Sequence, residues 1–376
     1  MSTVHWVGVG LSNGRTGLGL LADHADLVLW GRNPERVRRR VAELGLTGRA
    51  RTATLDPNRT ALRDAVAPGD VVVSMLPGTE HADLLRLARQ AGAHFACSSY
   101  VSPAIETGAD GAAEDGLVVL TEAGLDPGID HLMAHDLVRR AREAVGDDAA
   151  RVRFTSYCGG LPAVPNEFRY RFSWAPFGVL AALGAPATYV DGGRPRTVAH
   201  PWEATTEHRV GDEVFEVYPN RDSLPFVRRY GIPRGWELDA FVRGTLRNEG
   251  WRAAWAEVFD VVRSGDRDRL RGLAAEVAER YPTTEDDRDR VVLEVALEMV
   301  GPDGPWRGRY LLDLVGEAEE SAMARCVTLP LTYAVGRVLD GTVPPGLRWA
   351  GQEPPEVGPW LEHLAQHGVR CTLEVT

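Results

Sequence analysis

Residues 4–17 read V-H-W-V-G-V-G-L-S-N-G-R-T-G, and this stretch decides the fold of the first part of the chain. An apolar run typical of a strand ends in glycines, and an apolar stretch typical of a helix follows. Gly8, Gly10 and Gly14 give the spacing G-x-G-x-x-x-G, one residue longer than the strict dinucleotide-binding fingerprint. Because backbone N–H groups at such a strand–turn–helix junction can hold a pyrophosphate, we predict a phosphate-binding turn here.

The second predicted strand, residues 27–30, is followed by an arginine where an acid is more usual. Gly31, Arg32 and Asn33 follow it. Enzymes that use NAD place a carboxylate on the ribose 2′-hydroxyl at this position, whereas an arginine can pair with the 2′-phosphate of NADP. Taken alone, Arg32 also suits a solvated loop. Because the acid is missing, we predict NADP(H) as the cofactor.

Strands and helices continue to alternate up to residue 120. The segments predicted as strands are 50–54, 70–76, 93–97 and 116–120, and those predicted as helices are 59–66 and 80–91. This alternation predicts an α/β fold with a doubly wound parallel sheet. In such sheets ligands lie at the carboxyl ends of the strands, so Ser98, Ser99 and Tyr100 fall where the nicotinamide end of a cofactor would lie.

Residues 121–131, T-E-A-G-L-D-P-G-I-D-H, follow the last of these strands. They hold three carboxylates, Glu122, Asp126 and Asp130, among turn-forming glycines and a proline. Such a composition is also that of an ordinary surface loop. Its position at a strand end favours a functional role, and Asp126 is the candidate for pairing with a substrate ammonium or relaying a proton.

The pattern changes from about residue 149 and predicts a second, α+β domain with a mixed or antiparallel sheet. Residues 158–162 (C-G-G-L-P) predict a sharp turn, Thr284 a helix N-cap, and residues 251–262 a helix with core-facing aromatics. The predicted strands are 152–157, 168–174, 214–218, 241–246 and 309–315. An apolar helix is predicted over 322–339, and a final helix (357–368) and strand (369–375) are expected to return to the first sheet. The predicted domains are 1–130 with 340–376, and 131–339.

Composition excludes several classes of function. The net charge of −11 and pI of about 5.5 argue against nucleic-acid binding. All 42 basic residues are arginine, which excludes PLP enzymes, lysine Schiff-base catalysis and a P-loop lysine. We find no leader-like segment, no run long enough for a membrane span and no C-x-x-C spacing among four cysteines, so we predict a soluble cytoplasmic protein.

The remaining chemistry is positioning, carboxylate pairing and proton transfer beside a hydride donor. Arg221, Arg243 and Arg247 follow or end predicted strands and could clamp carboxylates, although each alone is more often a structural ion pair. Tyr100 could donate a hydrogen bond. His131 and His135 have metal-ligand spacing without the accompanying glutamate motif, so no metal is predicted. These groups suit a substrate with carboxylates and an amine, in which a C=N bond is reduced or a secondary amine is oxidised.

These residues resemble those of the saccharopine dehydrogenases of the glutamate-forming type, also called saccharopine reductases. The matching blocks are 98–103 (S-S-Y-V-S-P), 122–131 (E-A-G-L-D-P-G-I-D-H), 156–162 (S-Y-C-G-G-L-P), 172–174 (F-S-W), 218–223 (Y-P-N-R-D-S) and 243–247 (R-G-T-L-R). They run in family order over most of the chain. The resemblance implies a Rossmann domain completed by the C-terminal tail, a mixed-sheet domain that forms a homodimer, and NADP(H)-dependent reduction of an imine between an amino acid and an aldehyde.

The resemblance also implies the residues of the site, with Asp126 and Tyr100 as the catalytic candidates. Around the small-molecule substrate it implies Ser99, Tyr100, Asp126, Cys158, Arg221, Gly244, Thr245, Leu246 and Arg247. Around the cofactor the glycine turn and the resemblance imply Gly8, Gly10, Leu11, Ser12, Asn13, Gly14, Arg32, Ser74, Met75, Leu76, Pro77 and Leu125.

The chain departs from the family at residues 163–168, which are shortened, and at Phe177, where an arginine is usual. Recognition of one substrate carboxylate is the function these changes affect, so we expect a different aldehyde or amine partner. Two alternatives remain: a polyamine enzyme like carboxynorspermidine dehydrogenase, and a non-catalytic NADP-binding protein. An acidic pocket would favour the first alternative, and an arginine-lined pocket would argue against it.

Overall fold

The computed structural model describes residues 2–147, 151–172, 176–284, 286–301 and 304–376. The chain divides into two compact units. The first unit consists of Met1–Leu132 and Ala324–Gly368, and the second of Met133–Met323 and Val369–Thr376. Within the described residues, no helix is both long enough and apolar enough to cross a bilayer.

Sixteen strands and thirteen α-helices are assigned within the described residues. The strands are β1 (Thr3–Val7), β2 (Asp26–Gly31), β3 (Arg51–Thr54), β4 (Val71–Ser74), β5 (His94–Cys97), β6 (Val118–Thr121), β7 (Arg151–Pro162), β8 (Ala187–Asp191), β9 (Arg194–Val198), β10 (Thr206–Val210), β11 (Glu213–Pro219), β12 (Glu237–Asn248), β13 (Asp289–Gly301), β14 (Gly304–Val315), β15 (Gly346–Trp349) and β16 (Thr372–Val375). The helices are α1 (Arg15–His24), α2 (Pro34–Glu43), α3 (Thr60–Ala65), α4 (His81–Gln90), α5 (Pro103–Ala109), α6 (Ile129–Val145), α7 (Pro176–Ala182), α8 (Leu224–Arg229), α9 (Trp251–Ala254), α10 (Ala256–Ser264), α11 (Arg267–Arg280), α12 (Ala322–Leu339) and α13 (Pro354–Gln366).

The first unit is built on a parallel sheet in the order β15-β6-β5-β4-β1-β2-β3. Its central strands carry apolar side chains on both faces, and β4 is buried along its whole length. This is the pattern of a parallel sheet covered by helices on both sides. The order from β3 to β6 is that of a doubly wound dinucleotide-binding sheet, which confirms the predicted fold class.

One strand of this sheet was not predicted. β15 lies at the edge and pairs in parallel with β6, with Gly346 opposite Val118. It has only four residues, G-L-R-W, and follows a segment rich in proline, so no alternation in the sequence marks it. The apolar helix predicted over 322–339 is observed with the same bounds as α12.

The second unit contains a mixed sheet of nine strands, as predicted for the α+β domain. Seven run in the order β10-β11-β12-β7-β13-β14-β16, and β8 pairs with β12 and β9. The pairing of β12 with β7 is parallel, and the others are antiparallel.

The turn predicted at residues 158–162 is wrong, because β7 continues straight through them to Pro162. The glycines there serve close packing instead. A Cβ on Gly159 would lie 2.4 Å from the carbonyl oxygen of Leu246 on the neighbouring strand. The glycine therefore lets two strands approach, which glycine in a strand commonly does.

The strand predicted over 168–174 is not formed by residues 168–172, and 173 and 174 lie outside the described residues. Phe168 and Tyr170 are buried in an aromatic cluster, where Phe168 stacks on Trp255 with ring centroids 4.7 Å apart. The alternation of aromatic residues here reflects packing against the helices predicted at 251–262, whose core-facing side chains Trp251 and Trp255 are fully buried as expected.

Two further predictions are wrong. No helix begins at Thr284 in the described residues around it; instead the Asp287 carboxylate accepts hydrogen bonds from both the backbone N–H and the hydroxyl of Thr284. The last strand, β16, pairs with β14 in the second sheet and not with the first sheet. Its alternation is compatible with either sheet, so the sequence alone could not assign its partner.

Candidate active site

The phosphate turn follows β1 and is shaped by two different glycines. Gly8 has φ of +114°, and a Cβ there would lie 2.9 Å from the carbonyl oxygen of Met75. A Cβ on Gly10 would meet no atom within 4 Å, so the turn is open on that side. The Asn13 amide closes the turn by donating to the Gly10 carbonyl at 2.9 Å, and the Trp6 indole donates to the Asn13 side chain at 2.5 Å.

Helix α12 braces the same turn, a contact that the sequence did not predict. The Thr328 hydroxyl accepts from the Gly14 N–H at 2.8 Å and donates to the Ser12 carbonyl at 2.8 Å. Gly17 allows this approach, because a Cβ there would lie 2.8 Å from the Thr332 hydroxyl. Leu11 is 58% exposed beside the turn. The ten-residue helix α1 thus presents its N-terminus at an open, rigid turn, which suits a pyrophosphate.

Arginines surround the end of β2. Arg32 donates to Glu80 at 2.7 Å, and Arg59 donates to the other oxygen of the same carboxylate at 2.8 Å. Arg59 was not predicted, because no pattern links it to β2. Two guanidinium groups share one carboxylate, and the Arg32 side chain is 71% exposed. Arg59 also lies 3.7 Å from Asp83, so the exposed Arg32 guanidinium is the group that fits a ribose 2′-phosphate.

The end of β4 is connected to the end of β5 by a histidine that the sequence analysis missed. His81 opens α4 and is buried, with its Nδ1 2.7 Å from the Ser74 hydroxyl and its Nε2 2.9 Å from the Ser99 hydroxyl. Burial lowers the pKa of His81, so the ring is neutral near pH 7. Met75 donates its N–H to the Val7 carbonyl at 2.8 Å and so ties this strand end to β1. Leu76 is half-buried and Pro77 is exposed.

Residues 121–131 form a tight loop, where the two predicted catalytic candidates, Tyr100 and Asp126, are hydrogen-bonded to each other. The Tyr100 hydroxyl donates a hydrogen bond to the Asp126 carboxylate. The Asp126–Pro127 peptide is cis, and Gly128 has φ of +146°. A Cβ on Gly128 would lie 2.0 Å from the Gly124 carbonyl oxygen, so only glycine fits. Leu125 is 4% exposed, and its side chain belongs to the core.

The other two carboxylates of this loop hold it together. His131 lies between them, with Nε2 3.0 Å from Glu122 and Nδ1 3.2 Å from Asp130, and all three are buried. Burial alone would lower the pKa of His131, but the two carboxylates outweigh it and raise the pKa to about 9. The remaining oxygens accept from the backbone N–H groups of Val101 and Gly128. The hydrogen bonds of Glu122 and Asp130 therefore hold the loop together, whereas Asp126 is the carboxylate of this loop that remains a candidate for catalysis.

In the second unit, alternation along β12 sorts the predicted substrate residues onto two faces. Arg243, Thr245 and Arg247 share one face, and Thr245 lies opposite Cys158 on β7. Leu246 faces the other way and is fully buried in an apolar cluster, so its side chain is not placed to bind a substrate. Gly244 permits close strand packing, since a Cβ there would lie 2.6 Å from the Tyr218 carbonyl oxygen.

Arg247 is the unusual side chain of this face. It is 9% exposed, and its guanidinium lies over the rings of Tyr170, Trp251 and Tyr218 at 5.0, 5.7 and 5.8 Å. Its only hydrogen bond within the described part of the chain goes to the adjacent Leu246 carbonyl, and its Nε has no acceptor there. A buried cation held by aromatic faces and without a carboxylate is suited to receive one.

The other two predicted arginines are placed differently. Arg243 is 3% exposed, and its guanidinium lies 4.0 Å from the centre of the Phe226 ring. Arg221 follows β11 in a left-handed conformation, with φ of +56°, and its side chain is exposed. The sequence could not distinguish these environments, since all three are arginines in or next to predicted strands.

Comparison with known proteins agrees with this geometry. Residues 4–120 match the family described as "Saccharopine dehydrogenase NADP binding domain", and residues 124–369 match "Saccharopine dehydrogenase C-terminal domain". The chain belongs to the saccharopine dehydrogenase family. This confirms the resemblance predicted from the sequence. It also confirms NADP(H) as the cofactor of the chain and the prediction that the chain is an oxidoreductase rather than a non-catalytic binding protein.

Individual members of the saccharopine dehydrogenase family and solved structures give the same result. The chain is 30% identical, over 86% of its length and 88% of the relative's, to a saccharopine dehydrogenase [NADP(+), L-glutamate-forming] from Pyricularia oryzae. Its fold matches the apo saccharopine dehydrogenase (L-Glu forming) of Saccharomyces cerevisiae with a TM-score of 0.83 and 26% identity, covering 100% of both chains. A homospermidine synthase from Legionella pneumophila matches with a TM-score of 0.67 at 10% identity over 100% of this chain and 91% of its own, which shows the fold alone.

Phe177, where saccharopine reductases usually carry an arginine, packs inside its own unit. It is half-buried against the aromatic cluster, and the guanidinium groups of Arg271 and Arg267 on α11 lie 4.9 and 5.8 Å from its ring centre. The apolar ring thus joins α7 to α11. Its neighbours 173–175 lie outside the described residues, so the block at 172–174 is described only at Phe172.

Proposed function

We propose that this chain reduces an imine formed between an amino acid and an aldehyde, or oxidises the resulting carboxylated secondary amine. The observation that carries the proposal is the hydrogen bond from Tyr100 to Asp126 at the carboxyl ends of the parallel strands. A carboxylate held there by a phenol can pair with a protonated imine nitrogen. Because the chain has no lysine, the imine is formed on the substrates and not on the protein.

The chain's own residues supply binding and charge. NADPH, when bound, supplies the hydride. The Asp126 carboxylate stabilises the positive charge on the imine nitrogen, and the Tyr100 hydroxyl fixes the orientation of that carboxylate. Arg247 binds a substrate carboxylate, since its guanidinium is buried and forms no ion pair with a described residue; the Glu216 carboxylate opposite it accepts from the backbone N–H groups of Gly250 and Arg252 instead. Arg243 and Arg247 share one face of β12, and Glu216 lies opposite Arg247 on β11. Two guanidinium groups beside one carboxylate favour a carboxylated substrate over a polyamine.

The test is oxidation of NADPH with glutamate and other amino acids against a panel of aldehydes that includes the lysine-derived semialdehyde. Turnover only with carboxylated amines is expected. If glutamate and that semialdehyde give the highest kcat/KM, the chain is a saccharopine reductase despite Phe177. If another pair is preferred, the imine chemistry stands with a different substrate. Absence of turnover with every pair, together with tight NADPH binding, would contradict the proposal.

We also infer a homodimer in the cytoplasm. The homodimer rests on the family resemblance. The cytoplasmic location is supported by the four cysteines, none of which forms a disulfide: Cys97 and Cys326 are buried, and Cys158 and Cys371 are half-buried. Light scattering after size-exclusion chromatography would test the dimer, and a monomer at micromolar concentration would contradict it.

A further inference from the structure

His81 connects two serines at the carboxyl ends of adjacent parallel strands. Ser74 is the last residue of β4, and Ser99 follows the end of β5 by two residues. The strands are paired so that Ser74 lies opposite Cys97. His81 lies across both ends, with Nδ1 2.7 Å from the Ser74 oxygen and Nε2 2.9 Å from the Ser99 oxygen. The three side chains form one hydrogen-bonded chain.

Burial fixes the direction of the hydrogen bonds. Ser74 is 1% exposed, and within the described residues its hydroxyl has no hydrogen-bond partner other than His81. A buried hydroxyl that did not donate would leave its O–H unsatisfied, which is unfavourable by about 1–3 kcal/mol. Ser74 therefore donates to Nδ1, and the neutral ring carries its hydrogen on Nε2. Nε2–H then donates to Ser99, whose own hydroxyl hydrogen is left to donate elsewhere.

Of these three hydrogen-bonded side chains, Ser99 is the one that can reach a ligand, because it is half-exposed whereas Ser74 and His81 are buried. It also adjoins the acidic loop: its carbonyl accepts from the Glu122 N–H at 3.0 Å. Tyr100, the next residue, holds Asp126. A donor fixed at this place is therefore next in the chain to Tyr100, which the proposed reaction uses.

We propose that His81 is a positioning residue that makes Ser99 a one-way hydrogen-bond donor to an acceptor oxygen of the substrate, a carboxylate of the amino-acid part. This rests on the proposed function. The lowered pKa of His81 agrees with the neutral ring that the geometry requires. Ser74 acts only to set the tautomer and does not touch the substrate.

Two substitutions of His81 test the two ring nitrogens separately. In His81→Asn, the shorter amide can take the place of Nδ1 and accept from Ser74, but it does not reach Ser99. Gln in His81→Gln places an amide N–H at the Nε2 position and keeps the donor to Ser99. We expect kcat/KM for the carboxylated substrate to fall about 10- to 100-fold in His81→Asn and in Ser99→Ala, and less than about 3-fold in His81→Gln. The Kd for NADPH should change less than about 2-fold in all three.

The double variant His81→Asn with Ser99→Ala tells whether His81 acts by positioning Ser99 or by stabilising the surrounding structure. If His81 acts through Ser99, the double variant is no worse than Ser99→Ala. The proposal would be overturned if the losses of kcat/KM in the two single variants added up in the double variant. It would also be overturned if His81→Asn and His81→Gln lost kcat/KM equally and in proportion to their fall in melting temperature. A rise in the Kd for NADPH that accounts for the loss would assign Ser99 to the cofactor and also overturn it.

A second measurement does not depend on turnover. Two-bond 1H–15N spectra of the histidine rings, with His81 assigned by its loss in His81→Asn, report the tautomer directly. We expect Nε2–H with a bare Nδ1 at pH 7. A ring protonated at Nδ1 would overturn the inference even in an active enzyme. If the tautomer is as expected but no substrate pair is turned over, the proposed function fails and the substrate role of Ser99 fails with it.

Discussion

The Arg247 guanidinium is buried beside aromatic rings and forms no ion pair with the described residues. Burying such a charge is unfavourable, and ring contacts offset only part of that, about 0.5–2 kcal/mol each. A residue in this state contributes little to stability and is available for a ligand. Tyr100 differs, because its hydroxyl already has a defined acceptor in Asp126.

Arg247→Met should separate binding from stability. Methionine keeps the length and apolar contacts of the side chain but removes the charge, so the KM for the carboxylated substrate should rise by the equivalent of about 2–4 kcal/mol. The free energy of unfolding in urea should fall by no more than about 1 kcal/mol, because no ion pair is broken. Arg247→Lys, which keeps charge but not the planar fork, is the matched control. An equal rise of KM for NADPH would remove Arg247 from the substrate site.

Tyr100→Phe should lower kcat by about 100-fold, since it removes the O–H that holds the Asp126 carboxylate. NADPH affinity should be unchanged. Tyr333→Phe is a suitable control, because the Tyr333 ring lies in α12 and packs on Trp360 and His363 of α13, and no functional role is proposed for it. Stopped-flow single turnovers with saturating NADPH measure the step. A wild-type rate in Tyr100→Phe would contradict the catalytic assignment.

At the scale of elements, the loop after β6 is held by a buried triad and a steric requirement. Glu122, His131 and Asp130 provide charge-assisted hydrogen bonds inside the loop and to neighbouring backbone. Gly124 and Gly128 provide backbone contact closer than any side chain allows. Together they fix the segment that carries Asp126, so the candidate acid is positioned by residues that do no chemistry.

The triad predicts a loss of stability in alkali. The pKa of His131 is raised from 6.5 to about 9, so the folded state holds a proton that the unfolded state releases. The stabilisation is therefore complete below pH 6.5, falls as the pH rises, and is gone above about 9. It is on the order of 3 kcal/mol, from a shift of about 2.5 units at 1.36 kcal/mol each. Urea unfolding from pH 6 to 10 should show this decline, and a His131→Gln variant should lack it. A parallel decline in both proteins would contradict the assignment.

Gly128→Ala should destabilise the first unit by several kcal/mol, because its Cβ would overlap the Gly124 carbonyl at 2.0 Å. Gly116→Ala is the matched control, since Gly116 also has positive φ but open space around it. That variant should lose only about 1 kcal/mol. Thermal unfolding compares them, and equal losses would show that backbone conformation, and not the close approach, sets the requirement.

At the scale of the whole chain, the C-terminal segment serves both units in succession. β15 and α13 belong to the first unit, and β16 then adds an edge to the second sheet beside β14. An ion pair reinforces this edge: Glu374 accepts from Arg309 at 3.2 Å, and Arg309 also pairs with the buried Glu294 at 2.6 Å.

Removal of residues 372–376 should therefore loosen β14 without weakening NADPH binding. Hydrogen exchange should speed up in residues 307–311 of β14, which lose their backbone partners in β16 and at Thr376. Exchange in β6, which lies in the other sheet, should stay the same and serves as the internal control. Faster exchange in β6 with slow exchange in β14 would mean that the last strand belongs to the first sheet after all.

The sequence by itself determined the parallel sheet, the glycine turn, the family and the choice of Tyr100 and Asp126 as candidates, because each depends on local spacing at strand ends. Their hydrogen bond to each other was seen only in the structure. Periodicity along a segment is a local property, so α12 and β11 could be predicted closely. Long-range contacts decided the rest. Whether C-G-G-L-P turns or continues depended on the approach of Leu246, and the sheet joined by β16 depended on β14. The brace by Thr328, the guanidinium of Arg59 and the bridge of His81 come from residues far apart in sequence or outside any motif. Burial, which makes Arg247 and His131 unusual, is a property of the tertiary structure alone.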